Sequence, residues 1–232
     1  MKNLINIDSS TANCSVALAV NGALIFEKEE RNSARHAALL GQFVAEAIAF
    51  AKSNAIKIEA VAVCGGPGSY TGLRIGVSEA KGLCFGLDVP LIAVSSLAVM
   101  TNQVIDAGYE ADFFVPMLDA RRMEVYTAVY DRQLRPLQEA SAMILSEDSF
   151  SDYLSKGKVL FFGDGSAKCQ SIIHASNAAF IADIYPHAAA MIPLSTEAFD
   201  AGRFEDTAYF VPFYLKEFVA TIPKNKVFQS GF

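Results

Sequence analysis

Apolar stretches broken by turns and amphipathic segments predict a first half of three antiparallel strands followed by alternating helices and strands. Asn21-Gly22 is a typical two-residue turn between the second and third strands. The predicted elements are, in order, strands over 3–9, 13–20 and 23–30, a helix over about 34–53, a strand over 58–64, a helix over about 71–86 and a strand over 89–95.

The same order of elements starts again after a predicted helix near 96–107. Arg121-Arg122 turns the first strand of this second half into a segment that alternates with period two. The predicted elements are strands over 112–120, 123–130 and 133–140, a helix capped by Ser146, a strand over 158–163 and a helix after the turn at Asp164-Gly165-Ser166. The two halves share this order but no sequence identity.

A duplicated α/β design of this kind resembles the actin/hexokinase/Hsp70 superfamily, in which two ribonuclease H-like lobes flank a nucleotide cleft. The prediction is therefore an α/β, actin-like two-lobed fold with mixed sheets and flanking helices. The predicted lobes are residues 1–100, which contain the two long helices, and residues 101–232, which include the C-terminal tail.

Composition and charge narrow the function classes. The chain is 52% apolar and 19% charged, which is typical of a globular protein, and no apolar run reaches the ~20 residues of a membrane helix. It opens directly on a strand pattern without a signal-peptide core, so we expect a cytoplasmic protein. With a net charge of −6, the chain lacks the broad positive surface that nucleic-acid binders use. The four scattered cysteines predict buried free thiols.

The helix over 34–53 carries a wide apolar surface. On a helical wheel its apolar side chains span roughly 200°, whereas a helix packed on one sheet usually shows a stripe of a little over ~100°. The second helix carries Gly72, Gly76 and Gly86 on one stripe, and small residues at such spacing let another helix approach closely. Either the second lobe covers both helices or they dock a partner.

We predict the second alternative, a partner interface built from both helices. Its candidate residues are His36, Leu40, Phe43, Val44, Ala47, Phe50, Gly72, Leu73, Gly76, Glu79, Ala80 and Leu83.

The segment "GGPGSYTGLRIG", residues 65–76, links a strand to a helix, as phosphate-binding loops do. It lacks both the Lys-Ser/Thr that ends a P-loop and the G-x-G-x-x-G spacing. Ser69 or Thr71 would serve as a helix N-cap, and Gly68 could supply a positive φ. A turn with a cap is therefore favoured over an anion site.

A second candidate phosphate loop is the turn over residues 8–13, because actin-like ATPases hold phosphates at the turn between their first two strands. It contains an Asp and hydroxyls but no glycine, whereas the segment over 163–169, considered its second-lobe counterpart, has two glycines. The possible nucleotide-loop remnants are Asp8, Ser10, Thr11, Gly163 and Gly165.

Four motifs together resemble the bacterial TsaB (YeaZ) family: "GGPGSYTGLRIGVSEAKGL", "NIDSSTANCSVAL", "RHAALL" and "PMLDARRMEVYTAVY". The resemblance extends along the whole chain to "VPFYLKEFVA". It implies a non-catalytic actin-like subunit in the synthesis of N6-threonylcarbamoyladenosine at position 37 of tRNA. It also implies pairing through the two first-lobe helices with TsaD, the paralogue that carries the metal and transfers the threonylcarbamoyl group, and assembly with the ATPase TsaE.

The same family carries a glycoprotease or peptidase M22 label, which the residues do not favour. The three histidines, His36, His174 and His187, have no pair at metal-binding i+3 or i+4 spacing, and no G-x-S-x-G elbow is present. Glu79 departs from the family, whose members carry an apolar residue there, and a basic residue on the partner would explain it.

The sequence thus predicts an accessory subunit with no metal and no tightly bound cofactor, although ATP or ADP at a subunit interface stays open. Its expected partners are the TsaD-like paralogue, the TsaE-like ATPase and, indirectly, tRNA, with a homodimer when the chain is alone and no membrane contact. The alternative is an ATP-dependent actin-like phosphotransferase or hydrolase that acts by itself.

Overall fold

The computed structural model describes residues 1–31 and 36–216, apart from the side chains of residues 36 and 37. The chain forms two five-stranded mixed sheets with flanking helices, which confirms the predicted fold class. The first sheet and its helices comprise β1 (Asn3–Asp8), β2 (Cys14–Val20), β3 (Ala23–Glu30), α1 (His36–Ser53), β4 (Ala60–Gly66), α2 (Tyr70–Leu87), β5 (Leu91–Ser95) and α3 (Ser96–Asp106).

The second sheet follows with the same connectivity. Its elements are β6 (Phe113–Asp119), β7 (Glu124–Tyr130), β8 (Pro136–Ile144), α4 (Ser151–Leu154), β9 (Val159–Phe162), α5 (Ser166–Gln170) and β10 (Ala178–Ile181), followed by a 3-10 helix (Ala188–Met191) and α6 (Ile192–Asp200).

Strand order demonstrates the duplication. The first sheet runs β3-β2-β1-β4-β5 and the second β8-β7-β6-β9-β10. In each, the leading strand pairs antiparallel with the next strand and parallel with the one after the long crossover. The turn after β1 therefore corresponds to the turn after β6, and the glycine block after β4 corresponds to the loop after β9.

The two faces of the first sheet bury different layers. Ile5 and Ile7 of β1 face the layer that holds α1 and α2, while Leu4 faces the layer with the 3-10 helix and α6. Two buried hydrogen bonds attach this returning segment to the first sheet: Ser195 Oγ donates to Asn6 Oδ1 at 2.6 Å, and the Ala188 amide to Ser15 Oγ at 2.8 Å. Residues 188–200 thus pack on the first sheet, and the predicted lobe boundary at residue 100 falls inside α3.

The prediction that Ser146 caps a helix is wrong. The Ser146 amide donates to Ser149 Oγ at 2.9 Å, so the two serines close a turn, and α4 begins only at Ser151, without a side-chain cap. Serine side chains compete locally with helical hydrogen bonds, and here the turn prevails.

In the described parts of the chain, residues 1–31 and 36–216, no helix is long and apolar enough to cross a membrane.

Candidate functional site

The loop between β1 and β2, the candidate phosphate loop, is closed by the chain itself. Asp8 and Ser10 are wholly buried and Thr11 nearly so. The Asp8 carboxylate accepts the backbone amide of Ser10 at 3.1 Å and its hydroxyl at 2.7 Å. Both donors bind the same carboxylate oxygen, Oδ1. The side chains of Asp8, Ser10 and Thr11 therefore lie inside the protein and not at an open cleft.

Gly72 and Gly76 of α2 lie against this same loop. A Cβ atom at Gly72 would lie 2.1 Å from the Ser9 carbonyl oxygen, and one at Gly76 would lie 2.4 Å from Ser9 Oγ. The Ser9 hydroxyl donates to the Gly72 carbonyl at 2.8 Å. The interpretation of Gly72 and Gly76 as a groove for a partner helix is therefore wrong, because a segment sixty residues earlier in the same chain fills it.

The loop that precedes α2 also packs against the β1–β2 loop. A Cβ at Gly68 would lie 2.2 Å from the Ser10 carbonyl oxygen, which also accepts the Ser69 amide at 2.7 Å. Ser69 is the predicted N-cap of α2, and its hydroxyl accepts the Gly72 amide at 3.3 Å. The positive φ falls at Gly66 rather than at Gly68, so Gly68 is required for close approach and not for its conformation.

Gly163 and Gly165 also serve internal packing. A Cβ at Gly163 would lie 2.3 Å from the Met117 carbonyl oxygen, and one at Gly165 would lie 3.1 Å from Met117 Cβ. They follow β9, so the strand order makes them the counterpart of the block after β4. The assignment of this loop as the counterpart of the first turn is wrong, since that place belongs to residues 119–124.

Asp8 lies in an unusual environment for a carboxylate. Desolvation by burial raises its pKa, and the hydrogen bonds from Ser10 lower it to a smaller extent. Its second oxygen, Oδ2, lacks a hydrogen-bond partner of ordinary geometry among the described residues. Burial, followed by the charge of Asp8, raises the pKa of the neighbouring Cys64 thiol well above its usual value.

All four cysteines are buried free thiols, as predicted. Burial raises the pKa of Cys14 and Cys84 to about 11 and that of Cys169 to about 12. None therefore has the low thiol pKa of a catalytic nucleophile.

The wide apolar arc of α1 is largely covered by its own lobe. The helix packs on β2, β3 and α2, and the Phe50 ring contacts that of Phe26 in β3 in a tilted arrangement with ring centroids 5.3 Å apart. Neither the second lobe nor a partner is needed to cover it. The predicted interface residues that are buried in this way are Leu40, Phe43, Val44, Ala47, Leu73 and Ala80.

Of the remaining predicted interface residues, Phe50, Glu79 and Leu83 are half-buried and within reach of a partner. The side chain of His36 lies outside the described residues. Among the described residues, no group of three or more His, Cys, Asp or Glu side chains is arranged to hold a metal ion.

The exposed surface of the two helices, here termed the outer face of the helix pair, is different from the predicted one. It includes small residues and one large aromatic residue, namely Ala38, Ala45, Ala49, Ser78, Gly82 and Phe85, together with the exposed polar side chains Gln42, Lys52 and Arg74. Phe85 is 89% exposed, and nothing lies within 4 Å of a Cβ added at Gly82. Sequence reasoning missed Phe85, although a large aromatic between Gly82 and Gly86, outside the buried stripe of α2, was a readable signal.

The fold and this site define the class: a two-lobed, duplicated actin-like protein of the ribonuclease H type whose β1–β2 loop is closed by the chain itself. The family described as TsaD, tRNA N6-adenosine threonylcarbamoyltransferase, matches residues 29–224, and the chain belongs to this family. Within it, the chain belongs with the TsaB (YeaZ) proteins.

Three relatives establish this placement. The tRNA threonylcarbamoyladenosine biosynthesis protein TsaB of Haemophilus influenzae is 36% identical over 125 residues, which cover 53% of this chain and about half (51%) of that protein. TsaB of Escherichia coli is 28% identical over 225 residues, 94% of this chain and 96% of that one. A Pseudomonas aeruginosa structure described as similar to peptidase YEAZ is 26% identical, with a TM-score of 0.81 over 93% of this chain and 100% of that chain.

Proposed function

We propose that this chain is a non-catalytic subunit in the synthesis of N6-threonylcarbamoyladenosine on tRNA, where it binds and organises a TsaD-type catalytic paralogue together with a TsaE-type ATPase. The names of its TsaB relatives supply the pathway. The observation that carries the non-catalytic role is the closed β1–β2 loop. Asp8 and Ser10 are wholly buried, and Ser10 donates both its amide and its hydroxyl to Asp8, which argues against a role for this loop in holding phosphate.

The closed loop argues against the alternative of an ATP-dependent phosphotransferase acting alone. Backbone amides that hold a phosphate must point at open space, whereas here the Ser10 amide is directed at Asp8 and the Ser9 and Ser10 carbonyls lie under α2. Nucleotide, if it binds in the assembled complex, would be held by groups other than this loop.

The surface proposed for the partner is the outer face of the helix pair. Its small side chains allow the backbones of two other helices to approach, and Phe85 supplies a large apolar anchor, the kind of residue that dominates interface energies. Half-buried Glu79 lies at its edge, where a basic residue of the partner would pair with it. The same face would pair two copies of this chain when no paralogue is present.

The experiment is co-purification with the TsaD-type paralogue, followed by measurement of the mass in solution and of tRNA modification with and without this chain. Phe85→Asp is expected to weaken the complex at least tenfold. Ile144→Asp is the matched control, because Ile144 is 74% exposed on β8 of the second sheet. A Phe85→Asp chain that assembles and supports modification like the wild type would refute this surface.

A further inference from the structure

The turn between β6 and β7 holds two consecutive arginines in the left-handed region of backbone space. Arg121 has φ +69° and Arg122 has φ +50°. Residues with a Cβ atom disfavour this conformation. The loop comprises residues 120–123 and is closed by the Ala120 amide, which donates to the Glu124 carbonyl at 3.1 Å. The two-residue turn between β2 and β3 also has two consecutive residues at positive φ, but there they are Asn21 at φ +50° and Gly22 at φ +81°, the residues that such turns normally use.

The chain therefore uses the favourable residues at one hairpin and two unfavourable ones at another. Backbone strain that the surrounding structure maintains is characteristic of functional positions. At this turn the maintaining contacts come from Asp119, whose Oδ1 atom accepts the Arg121 amide at 2.6 Å and the Lys168 ammonium at 2.8 Å. The turn is thus held in place without use of either guanidinium.

The local charges leave the two arginines available. Asp119 is paired with Lys168, and the Glu124 carboxylate is paired with Lys216 from the C-terminal segment. A third carboxylate, Asp164, is half-buried and accepts the Asp119 amide at 2.8 Å, and its burial raises its pKa. Both arginine side chains are exposed, and neither has a hydrogen bond or ion pair within the described residues.

The exposed tip is consequently a local positive site on a chain whose net charge is −6. Each guanidinium can bind two oxygens of a phosphate group, and a sugar-phosphate backbone presents such groups at regular spacing. We propose that Arg121 and Arg122 contact the sugar-phosphate backbone of the tRNA that the complex modifies. This inference rests on the proposed function for the identity of the RNA.

The test is a titration of an unmodified tRNA transcript into the complex of this chain with its TsaD-type and TsaE-type partners, at several salt concentrations. The double variant Arg121→Asn/Arg122→Gly replaces both arginines with residues that adopt a positive φ readily. It is expected to lower tRNA affinity and to reduce the slope of log affinity against log salt by about one for each arginine. The same variant is expected to raise the Tm of the chain by about 2–4 °C, since it removes the strain.

The matched control is Arg132→Gln/Arg203→Gln, which removes the same number of charges from exposed arginines that pair with Glu110 and Glu197. Affinity and salt slope should stay near wild type in this control. Arg121→Lys/Arg122→Lys, which keeps the charge, should retain most of the salt slope.

Three results would overturn the proposal. The first is unchanged tRNA affinity and slope in the Asn-Gly variant, and the second is an equal loss in the control. The third is loss of protein assembly with intact tRNA binding, which would assign the turn to an acidic protein surface instead. Failure of the wild-type chain to assemble with its partners would refute the proposed function. Equal tRNA affinity of the wild type and the double variant, measured on the complex or on the chain alone, would refute the arginine contact.

Discussion

The turns after β1 and after β6 occupy equivalent places in the two sheets, yet one is buried and the other is open. Both start with an aspartate whose Oδ1 atom accepts the amide two residues further along, at 3.1 Å for Asp8 and 2.6 Å for Asp119. In the first lobe α2 lies across the turn, whereas in the second lobe the corresponding loop packs on Met117, within β6 itself. The covering element, rather than the turn, decides what each aspartate can do.

The largest effect is expected from opening the closed turn. Gly72→Ala places a Cβ atom 2.1 Å from the Ser9 carbonyl, so backbone must move, and the free energy of unfolding should fall by about 3 kcal/mol. Gly82→Ala is the control in the same helix, where the space is free, and should raise it by about 0.5–1 kcal/mol. Urea denaturation of both variants measures the difference, and equal values would show that α2 does not press on the loop.

A smaller loss is expected from removing the support of the open turn. Lys168→Met deletes the ammonium that bonds Asp119 Oδ1 and the Glu124 carbonyl, and should lower the free energy of unfolding by about 1 kcal/mol because both partners are partly exposed. Lys156→Met, at an exposed site, should change it by less than about 0.5 kcal/mol. Thermal unfolding that gives the same Tm for both would mean that Lys168 does not support the turn.

A third prediction concerns the pH dependence of the closed turn. Burial raises the pKa of Asp8 in the folded state above its ordinary value of 3.8, so the folded chain binds more protons than the unfolded one between those two values. The contribution of Asp8 to stability is therefore greatest below pH 3.8 and falls as the pH rises through the raised pKa.

Asp8→Asn should remove this fall, whereas Ser10→Ala should extend it to higher pH, because loss of the Ser10 hydroxyl raises the pKa of Asp8 further. Denaturation curves at a series of pH values would show the opposite trends. Parallel curves for the two variants would contradict the assignment of the pH dependence to Asp8.

The smallest effect is expected in the rate at which the cysteine thiols react with a labelling reagent. At pH 8 a thiol-specific reagent should label none of the four cysteines of the folded chain, because burial keeps each pKa well above that pH. Gly72→Ala should speed the labelling of Cys64, which lies beside Asp8 under the closed turn, more than that of Cys169 in the other lobe. Rapid labelling of Cys64 in the wild type would show that the turn opens readily.

Local signals predicted much of this molecule. The period of the apolar residues predicted β1 to β9 and the two long helices to within about four residues of their ends, but not β10 or α6. The Asn21-Gly22 pair predicted a hairpin, and Ser69 is the one of the two candidate hydroxyls that caps α2. Each of these depends on residues within a few positions of one another, so a single stretch of sequence contains the whole cause. Ser146 failed because a competing local turn uses the same residue type.

The site was less predictable. A wheel gives the width of the apolar arc of α1 but not what covers it, and the structure assigns that cover to β2, β3 and α2. The availability of Arg121 and Arg122 was not predictable for the same reason, since ion pairing depends on chain segments that are distant in sequence, such as Lys168 for Asp119.

By itself the sequence determined the order of elements, their duplication and the family, because periodicity, turn residues and motifs act over short distances. Only the tertiary structure decided the purpose of Gly68, Gly72 and Gly76, which is to let α2 and the loop before it approach Ser9 and Ser10. A glycine in the sequence indicates that another group can approach closely, but it does not indicate which group. The sequence of the approaching segment gives no sign of the contact either, because the contact is made mainly by backbone atoms. The closed first turn and the open second one follow from that packing.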